Sequence, residues 1–376
     1  MGHATDRDDV VTLYDVARLA GVSIATVSRV VHGQYRVSDA TRARVQQAIE
    51  ELGYVPDGAA RSLSRRRKDV IGLACKERDT VYDALEEVGL VYWDQVLRGV
   101  EERIRNTGWS MLISFLHAND AGPSQLSELD ALSGKVDGIL IGEGFGSAEH
   151  IERLAARVPV VVIAGAMTEQ AADVVAADNF SGSAAITRHL ISDHGKRRLF
   201  HLDGPSDAPD AIERRLALHH VLRSNPQCQV IGSAQGAFSV RSGEQAGQDL
   251  LARYSENLPD AVVCANDQMA IGMLRALAAV GIRVPAEMAV VGFDDIYPAS
   301  VFDPPLTTVQ QPVRMLGRQA CSRLLDRIAN PRRLATLDLL PTQLVVRASC
   351  GCPPSAATTQ PAAAMPCAKE LRQPNM

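Results

Sequence analysis

TLYDVARLAGVSIATVSRVVHG, residues 12–33, carries two helix signatures separated by a single turn. Leu13, Val16, Ala17 and Ala20 repeat at the i, i+3, i+4, i+7 spacing of one buried helix face, with Thr12 placed to cap that helix and Gly21 to stop it. Gly21, Val22 and Ser23 make a tight turn in which glycine is free to take positive φ. Ser23 then stands as N-cap of a second helix over 24–31, ended by His32 and Gly33. This is helix-turn-helix geometry. Val27, Val30 and Val31 face the first helix, which leaves Ile24, Ala25, Thr26, Ser28 and Arg29 on the side where a recognition helix meets base edges and phosphates. A third helix, capped by Ser38, covers the pair through Val45, Ala48, Ile49 and Leu52.

The charge distribution points the same way. The 376 residues carry a net charge of −5, which by itself argues against nucleic acid. Residues 10–68, however, hold ten Lys/Arg against five Asp/Glu, so a head of about +5 precedes a body of about −10. The run Arg65, Arg66, Arg67, Lys68 alone reads as a solvated linker. A basic head on an acidic body is the footprint of a modular nucleic-acid binder.

The stretch quoted above, followed by VSDATRARVQQAIEELGYVPDGAARSLSRRR (37–67), resembles the DNA-binding head and hinge of the lactose-repressor (LacI) family of bacterial transcription regulators. The resemblance implies a homodimer that sets two recognition helices in successive major grooves of a near-palindromic double-stranded operator. It maps base reading onto Ile24 and Ala25, base and phosphate contacts onto Thr26, Ser28 and Arg29, and backbone contacts onto Thr12, Tyr14 and Tyr54. Two small apolar readers depart from members with polar side chains there. They touch a thymine methyl but make no bidentate hydrogen bonds, which shifts direct readout onto Arg29. DGAARSLS (57–64) looks like the hinge helix, too short to be stable by itself, and Leu63 matches the leucine wedged between base pairs in the minor groove. The alternative for Leu63 is a linker residue packed on the body.

From Asp69 onward short apolar strands at 70–75, 110–115, 138–141, 160–164, 199–202, 261–264 and 289–293 alternate with amphipathic helices. That order predicts parallel sheets with ligands at the strands' carboxyl ends. The body resembles the rest of the same family, and through it periplasmic sugar-binding proteins, clearest in ADNFSGSAAITRHLISDHGKRRLFHLDGP (177–205) and over residues 264–312. The fold class expected is therefore an all-α helix-turn-helix head plus an α/β body of two doubly wound parallel-sheet lobes. The expected boundaries are 10–57 for the head, 58–68 for the hinge and 69–347 for the ligand-binding and dimerisation body. Within the body one lobe takes 69–176 plus 309–338, the other 177–308 plus 339–347. Residues 348–376, rich in Ala, Pro, Ser and Thr with no heptad repeat, are expected to be a disordered tail, which favours a dimer.

Family effector positions fall on Tyr92 and Trp93, Arg214 in RRLALHHVL, Phe238 in GAFSVRSG, Asn266 in CAND and Asp294 in GFDD. Ala217 and Leu218 stand where members usually carry Gly and an aromatic. An aromatic platform with a fork-shaped Arg and Asp/Asn acceptors suits a sugar, with its apolar faces and vicinal hydroxyls. Each residue has a structural alternative: Phe238 as core, Asp294 as a helix cap. KERDTVYDALEEVGLV (76–91) is longer than the usual family loop and lies beside the expected cleft mouth.

Other classes find little support. GEGFGS (142–147) lacks the third glycine of a dinucleotide fingerprint, and GxxxxGK[ST], HExxH and GxSxG are absent, so no enzyme and no cofactor is expected. His219 and His220 are adjacent on a helix and point apart. Seven scattered cysteines read as reduced thiols, and the close pair Cys350 and Cys352, with no nearby histidines or second pair in the sequence, is not expected to bind metal. The start of the chain lacks a secretory signal pattern, and the apolar stretches fall short of the roughly 18–20 residues of a membrane span. The expectation is a cytoplasmic repressor with no membrane partner, switched by a small-molecule effector.

Overall fold

The computed structural model describes residues 11–31, 37–54, 67–77, 88–117, 123–142, 148–165, 172–353 and 358–361. They form two compact units that divide between Asp69 and Val70. The first unit is three helices: α1 (Leu13–Ala20), α2 (Ile24–Val31) and α3 (Asp39–Leu52). Their ends are written into the sequence. The Asp15 carboxylate accepts from the Thr12 backbone N–H (3.0 Å) and hydroxyl (2.7 Å), while Gly21 closes α1 at φ 64°. Ser23 accepts from the Thr26 backbone N–H at 3.2 Å, and Ser38 from that of Thr41 at 3.4 Å. Between the helices Val16, Ala17, Ala20, Val27, Val30, Val45 and Ala48 are buried, with Leu13, Val31, Ile49 and Leu52 packed around them.

The second unit begins with β1 (Val70–Glu77), α4 (Val88–Ile104), β2 (Ser110–His117), α5 (Pro123–Ser133), β3 (Gly138–Ile141), α6 (Ala148–Ala155), β4 (Val160–Ile163) and β5 (Asp173–Ala177). It continues with α7 (Asn179–Arg188) running into a π-helical turn (His189–Asp193), then β6 (Arg198–Asp203), α8 (Pro209–Arg223), β7 (Gln229–Gln235), α9 (Val240–Tyr254), β8 (Ala261–Cys264) and α10 (Asp267–Ala279). After β9 (Ala289–Val291), α11 (Tyr297–Val301) and β10 (Thr308–Gln310), the chain returns to the first sheet through α12 (Val313–Ala329) and β11 (Leu337–Leu340). It leaves again as β12 (Gln343–Val346), a 3-10 turn (Ala348–Cys350) and β13 (Thr358–Pro361).

Two sheets result. The first runs β11-β5-β4-β3-β1-β2, parallel throughout; the second runs β7-β6-β8-β9, also parallel, beside a small antiparallel sheet β10-β12-β13. Helices cover both faces, so strands β3, β4 and β5 are buried along their whole length. Alternation then sorts their side chains. Ile71, Leu73, Val161, Ile163 and Val175 pack under α4 and α12, whereas Ala74, Ile139, Ile141, Val160, Val162 and Val174 pack under α5 and α6. Each fully buried Val, Leu or Ile contributes about 1.5–3 kcal/mol.

Each lobe also seats one helix pair backbone to backbone. A Cβ on Gly99 of α4 would lie 2.0 Å from the Arg314 carbonyl oxygen of α12, and one on Gly272 of α10 would lie 2.0 Å from that of Val240 in α9. Glycine costs about 1 kcal/mol in a helix interior, and here it admits a contact no other residue fits.

The end of the chain departs from the expectation. Residues 348–353 are not disordered: the Ser349 hydroxyl donates to the Val290 carbonyl (2.6 Å) and accepts from the Thr307 N–H (2.8 Å), and Cys350 is fully buried. Residues 358–361 add a strand to β12. Small and polar residues that look like a tail are ordered here by partners far away in sequence. Strands β5, β7 and β10 to β13 were likewise not anticipated, because β7 is a half-exposed edge and the others are short runs whose pairing is non-local. The hinge with Leu63, most of the 76–91 loop, Cys367 and the rest of the expected tail lie outside the described residues. Among the described residues no helix is long and apolar enough to cross a membrane.

Candidate functional site

In the head, the proposed reading face follows from what the core does not use. Ile24, at 40% exposure, and Ala25 and Arg29 stand in solvent on α2, while Thr26 and Ser28 are half-buried. The Thr26 hydroxyl lies 2.9 Å from that of Ser23, so it is part of the helix cap before it is part of any interface. Thr12 is exposed but occupied in capping α1, and Tyr14 is 70% exposed. Tyr54 is different. It is only 7% exposed and packed in the three-helix core, so its ring serves the fold.

In the body, the second lobe gathers four of the sequence-chosen residues at the carboxyl ends of its strands. Arg214, on α8, is 4% exposed, and its guanidinium lies over Phe293 with Cζ 3.8 Å from the ring centroid. Its nitrogens donate to Asn179 Oδ1 (2.9 Å) and the Ala265 carbonyl (2.6 Å), and stand 3.4 Å from Asp210 Oδ2 and 3.6 Å from Asp294 Oδ1. Phe238 lies 6.0 Å from the same guanidinium. Asn266 caps α10 by accepting from the Met269 N–H at 3.0 Å, and its amide donates to the Phe238 carbonyl at 3.3 Å. Gln311 donates to Asp294 Oδ1 at 2.6 Å, from the strand-to-helix passage back to the first lobe.

The backbone is strained where these residues point. Phe238 (φ 58°), Asp294 (φ 122°) and Asp295 (φ 57°) are non-glycine residues in the left-handed region, each just past a strand end. Such conformations cost of order 1–3 kcal/mol and persist where the surroundings over-determine them. Electrostatics add to the tension. Burial pushes the Asp294 carboxyl up to about 6 although Arg214 and Gln311 oppose the shift, and burial also raises Asp210 against Arg214. Asp267, beneath them, is raised well above its ordinary value by burial and by the Asp294 charge. The result is a desolvated patch with one forked cation, more carboxylates than it neutralises, three amides and two aromatic rings. Its chemistry suits a ligand that offers hydroxyl donors along an apolar face.

Tyr92 and Trp93 belong to the other lobe. They meet edge to face at 5.6 Å on α4 and pack against the first-lobe core. Asn179, Asp210, Phe293 and Gln311 were not foreseen. Asp210 was findable, since it sits four residues before Arg214 on one helix face; the others needed strand ends that only the folded sheet brings together.

Cys350 and Cys352 also depart from the expectation. No histidine is near them in sequence, but the fold brings His189 and His194 to them, and one ligand atom from each of the four residues lies within 4.8 Å of all the others.

Residues 12–57 match the family of bacterial regulatory proteins of lacI type, and residues 187–350 match the periplasmic binding protein-like domain. The chain is 32% identical over 339 residues to the lactose operon repressor of Escherichia coli (strain K12), covering 90% of each chain. It is 33% identical over 348 residues to the transcriptional regulator CelR of Thermobifida fusca, covering 90% of this chain and 98% of that one. Among solved structures it is similar to the lac repressor dimer bound to operator and the anti-inducer ONPF, with a TM-score of 0.80 and 31% identity over 90% of this chain and 99% of that one. The CelR–cellobiose complex follows with a TM-score of 0.65 and 32% identity over the same shares.

Proposed function

Because the chain belongs to the lacI family of bacterial regulatory proteins, we propose that it is a homodimeric repressor of a near-palindromic operator whose grip on DNA is set by a sugar held at Arg214, Phe238, Asn266 and Asp294. It is a regulator rather than an enzyme. The observation that carries the effector half is the buried Arg214 guanidinium flanked by Asp210 and Asp294 at the strand ends, an arrangement that costs stability unless something uses it. Cellobiose in the complex with CelR supports the carbohydrate class. Arg214 forks toward vicinal hydroxyls, Asp294 and Asn266 accept from them, and Phe238 stacks on the apolar face. Tyr92 and Trp93 supply the first-lobe wall of the interlobe cleft.

For DNA, Ile24 and Ala25 read by apolar contact and Arg29 by hydrogen bonds, with Thr26, Ser28, Thr12, Tyr14 and the Tyr54 hydroxyl holding register; Leu63 wedges the minor groove. The boundaries that go with this division are residues 10–57 for the head and 58–68 for the hinge, with the body running from 69 past 347 to take in 348–353 and 358–361. The sugar acts through unequal affinity for the DNA-competent and DNA-incompetent states, because equal affinity shifts nothing.

Fluorescence anisotropy of the full-length protein on DNA from upstream of its own gene and on a scrambled duplex, across a salt series and a sugar panel, tests both halves. The expected result is tight binding to one duplex, a steep salt slope and a change in affinity with one sugar. In the same assay Arg29→Ala lowers the specific affinity by about 1–3 kcal/mol, more than it lowers binding to the scrambled duplex. Equal binding of both duplexes overturns the operator assignment, and indifference to every sugar overturns the effector assignment.

A further inference from the structure

The four residues that the fold gathers at the end of the second lobe have the composition of a zinc site. His189 lies in the π-helical turn that follows α7, and His194 directly after that turn. A π turn bonds i to i+5, which brings residues five apart onto one side where an ordinary helix would separate them. Cys350 and Cys352 come from the turn beyond β12, about 160 residues later in the chain. Gly351 between them has φ 112°, and a Cβ there would stand 3.3 Å from the His194 ring. Only glycine both takes that conformation easily and leaves the ring in place.

Four of the six edges are near those of a tetrahedron, and all six lie within 4.8 Å. His189 Nε2 and His194 Nε2 are 3.2 Å apart, Cys350 Sγ and His189 Nε2 3.4 Å, Cys352 Sγ and His194 Nε2 3.3 Å, and Cys352 Sγ and His189 Nε2 3.8 Å. Zn–N near 2.0–2.1 Å and Zn–S near 2.3 Å at tetrahedral angles require about 3.3 Å between two nitrogens and about 3.5 Å between nitrogen and sulfur. Both histidines present Nε2 inward. His189 turns its other nitrogen, Nδ1, to Asp193 Oδ2 at 2.7 Å, the carboxylate–histidine arrangement that fixes the tautomer leaving Nε2 free to ligate. The Cys350 sulfur accepts from the Thr307 hydroxyl at 3.1 Å, a contact that steadies a thiolate. The spacing His-x4-His falls in the usual range for structural zinc, and Cys-x-Cys is tighter than usual.

We infer that His189, His194, Cys350 and Cys352 bind one Zn(II) ion in a closed structural site that pins the chain end beyond β12 onto the first helix of the second lobe. Four protein ligands leave no open position, so the role is a cross-link rather than chemistry. The site is independent of the sugar reading, because its ligands include none of the residues proposed to hold the effector.

The test uses the full-length chain purified under reducing conditions, with zinc counted by inductively coupled plasma mass spectrometry and the stripped protein refilled with Co(II). The expected result is about one zinc per chain, and tetrahedral d–d absorption with thiolate-to-cobalt charge transfer on refilling. The double variant His194→Ala/Cys352→Ser loses more than about a hundredfold in zinc affinity, and Asp193→Asn loses about 10–100-fold as a partner that orients a ligand. Cys352→His keeps four ligands, so it retains the metal while its charge-transfer band weakens; this variant decides the matter if the double variant fails to fold. Wild-type protein that takes up neither zinc nor cobalt leaves only a hydrogen-bonded thiol–imidazole cluster and overturns the inference. Zinc retained undiminished by a folded double variant sits elsewhere and overturns it equally.

Discussion

Each lobe of the body buries an arginine against aspartates, and the two clusters are opposites. In the first lobe Asp173 is wholly buried and fully engaged: Arg327 Nε donates at 2.6 Å, and the Thr336 backbone N–H and hydroxyl each donate at 2.8 Å. Burial alone would raise its carboxyl, yet these bonds outweigh burial and hold it below the ordinary range. In the second lobe Arg214 faces Asp210 and Asp294, whose carboxyls burial raises in spite of the arginine. The same pair of residue types therefore closes a structure in one place and leaves capacity in the other. What separates them is the number of donors per buried carboxylate, and a site short of donors is one a ligand completes.

The largest effect expected from this contrast is on stability in the first lobe. Arg327→Ala leaves Asp173 buried with Thr336 and the more distant Arg333 guanidinium (3.6 Å) as its remaining partners, and costs about 3–5 kcal/mol. Chemical denaturation of the full chain measures it. In whatever population stays folded, the response to the sugar is unchanged. A loss much below 1 kcal/mol would mean that Thr336 and Arg333 satisfy Asp173 without Arg327, and the contrast between the lobes would collapse.

Arg214→Ala has a smaller expected cost, about 1–3 kcal/mol, because Asp210 and Asp294 are already raised and relieve their isolation by taking protons. That relief makes the cost pH-dependent, larger at pH 8 than at pH 6. Arg214→Lys keeps the charge and loses the planar fork, so it retains most of the stability but not the sugar response in the anisotropy assay. A Lys variant that still responds would move the effector elsewhere.

These clusters also show what the sequence could and could not convey. The head was legible almost residue by residue, because its caps, turn and buried face are all set within a few positions: Ser23 with Thr26, Gly21 with Ala17, Val16 with Ala20. The alternation of strands and helices was equally legible, since burial on both sheet faces leaves continuous apolar runs such as VVVI in β4. Arg214 was found through its family register, but its stacking on Phe293 and its bond to Asn179 join positions dozens of residues apart. Neither local pattern nor composition carries such pairings. The His–Cys cluster failed for the same reason, the Cys350–Gly351–Cys352 turn meeting histidines that stand about 160 residues earlier.

The smallest expected effect is on the pH dependence of sugar binding, and its sign separates the two clusters. Asp173, held low when folded, contributes stability that is present above the ordinary aspartate value of 3.8 and is lost as pH falls through its lower folded value. Asp294, raised from 3.8 to about 6, does the reverse: it costs stability at neutral pH, and the cost disappears as pH falls from about 6 toward 4. Around it stand Arg214, Asp210, Asp267, Asn266 and Gln311, so it titrates within a group of buried carboxylates that burial raises together and the Arg214 guanidinium opposes. A sugar hydroxyl that donates to ionised Asp294 competes with that proton. Titration calorimetry on the full chain without DNA, using the sugar singled out by anisotropy, is then expected to show affinity flat above pH 7 and about tenfold weaker at pH 5. Asp294→Asn removes the titration, giving weaker binding that no longer varies over this range. If wild type and Asp294→Asn show the same pH profile, the carboxylate does not face the ligand, and the raised Asp294 belongs to the lobe's architecture as Asp173 does.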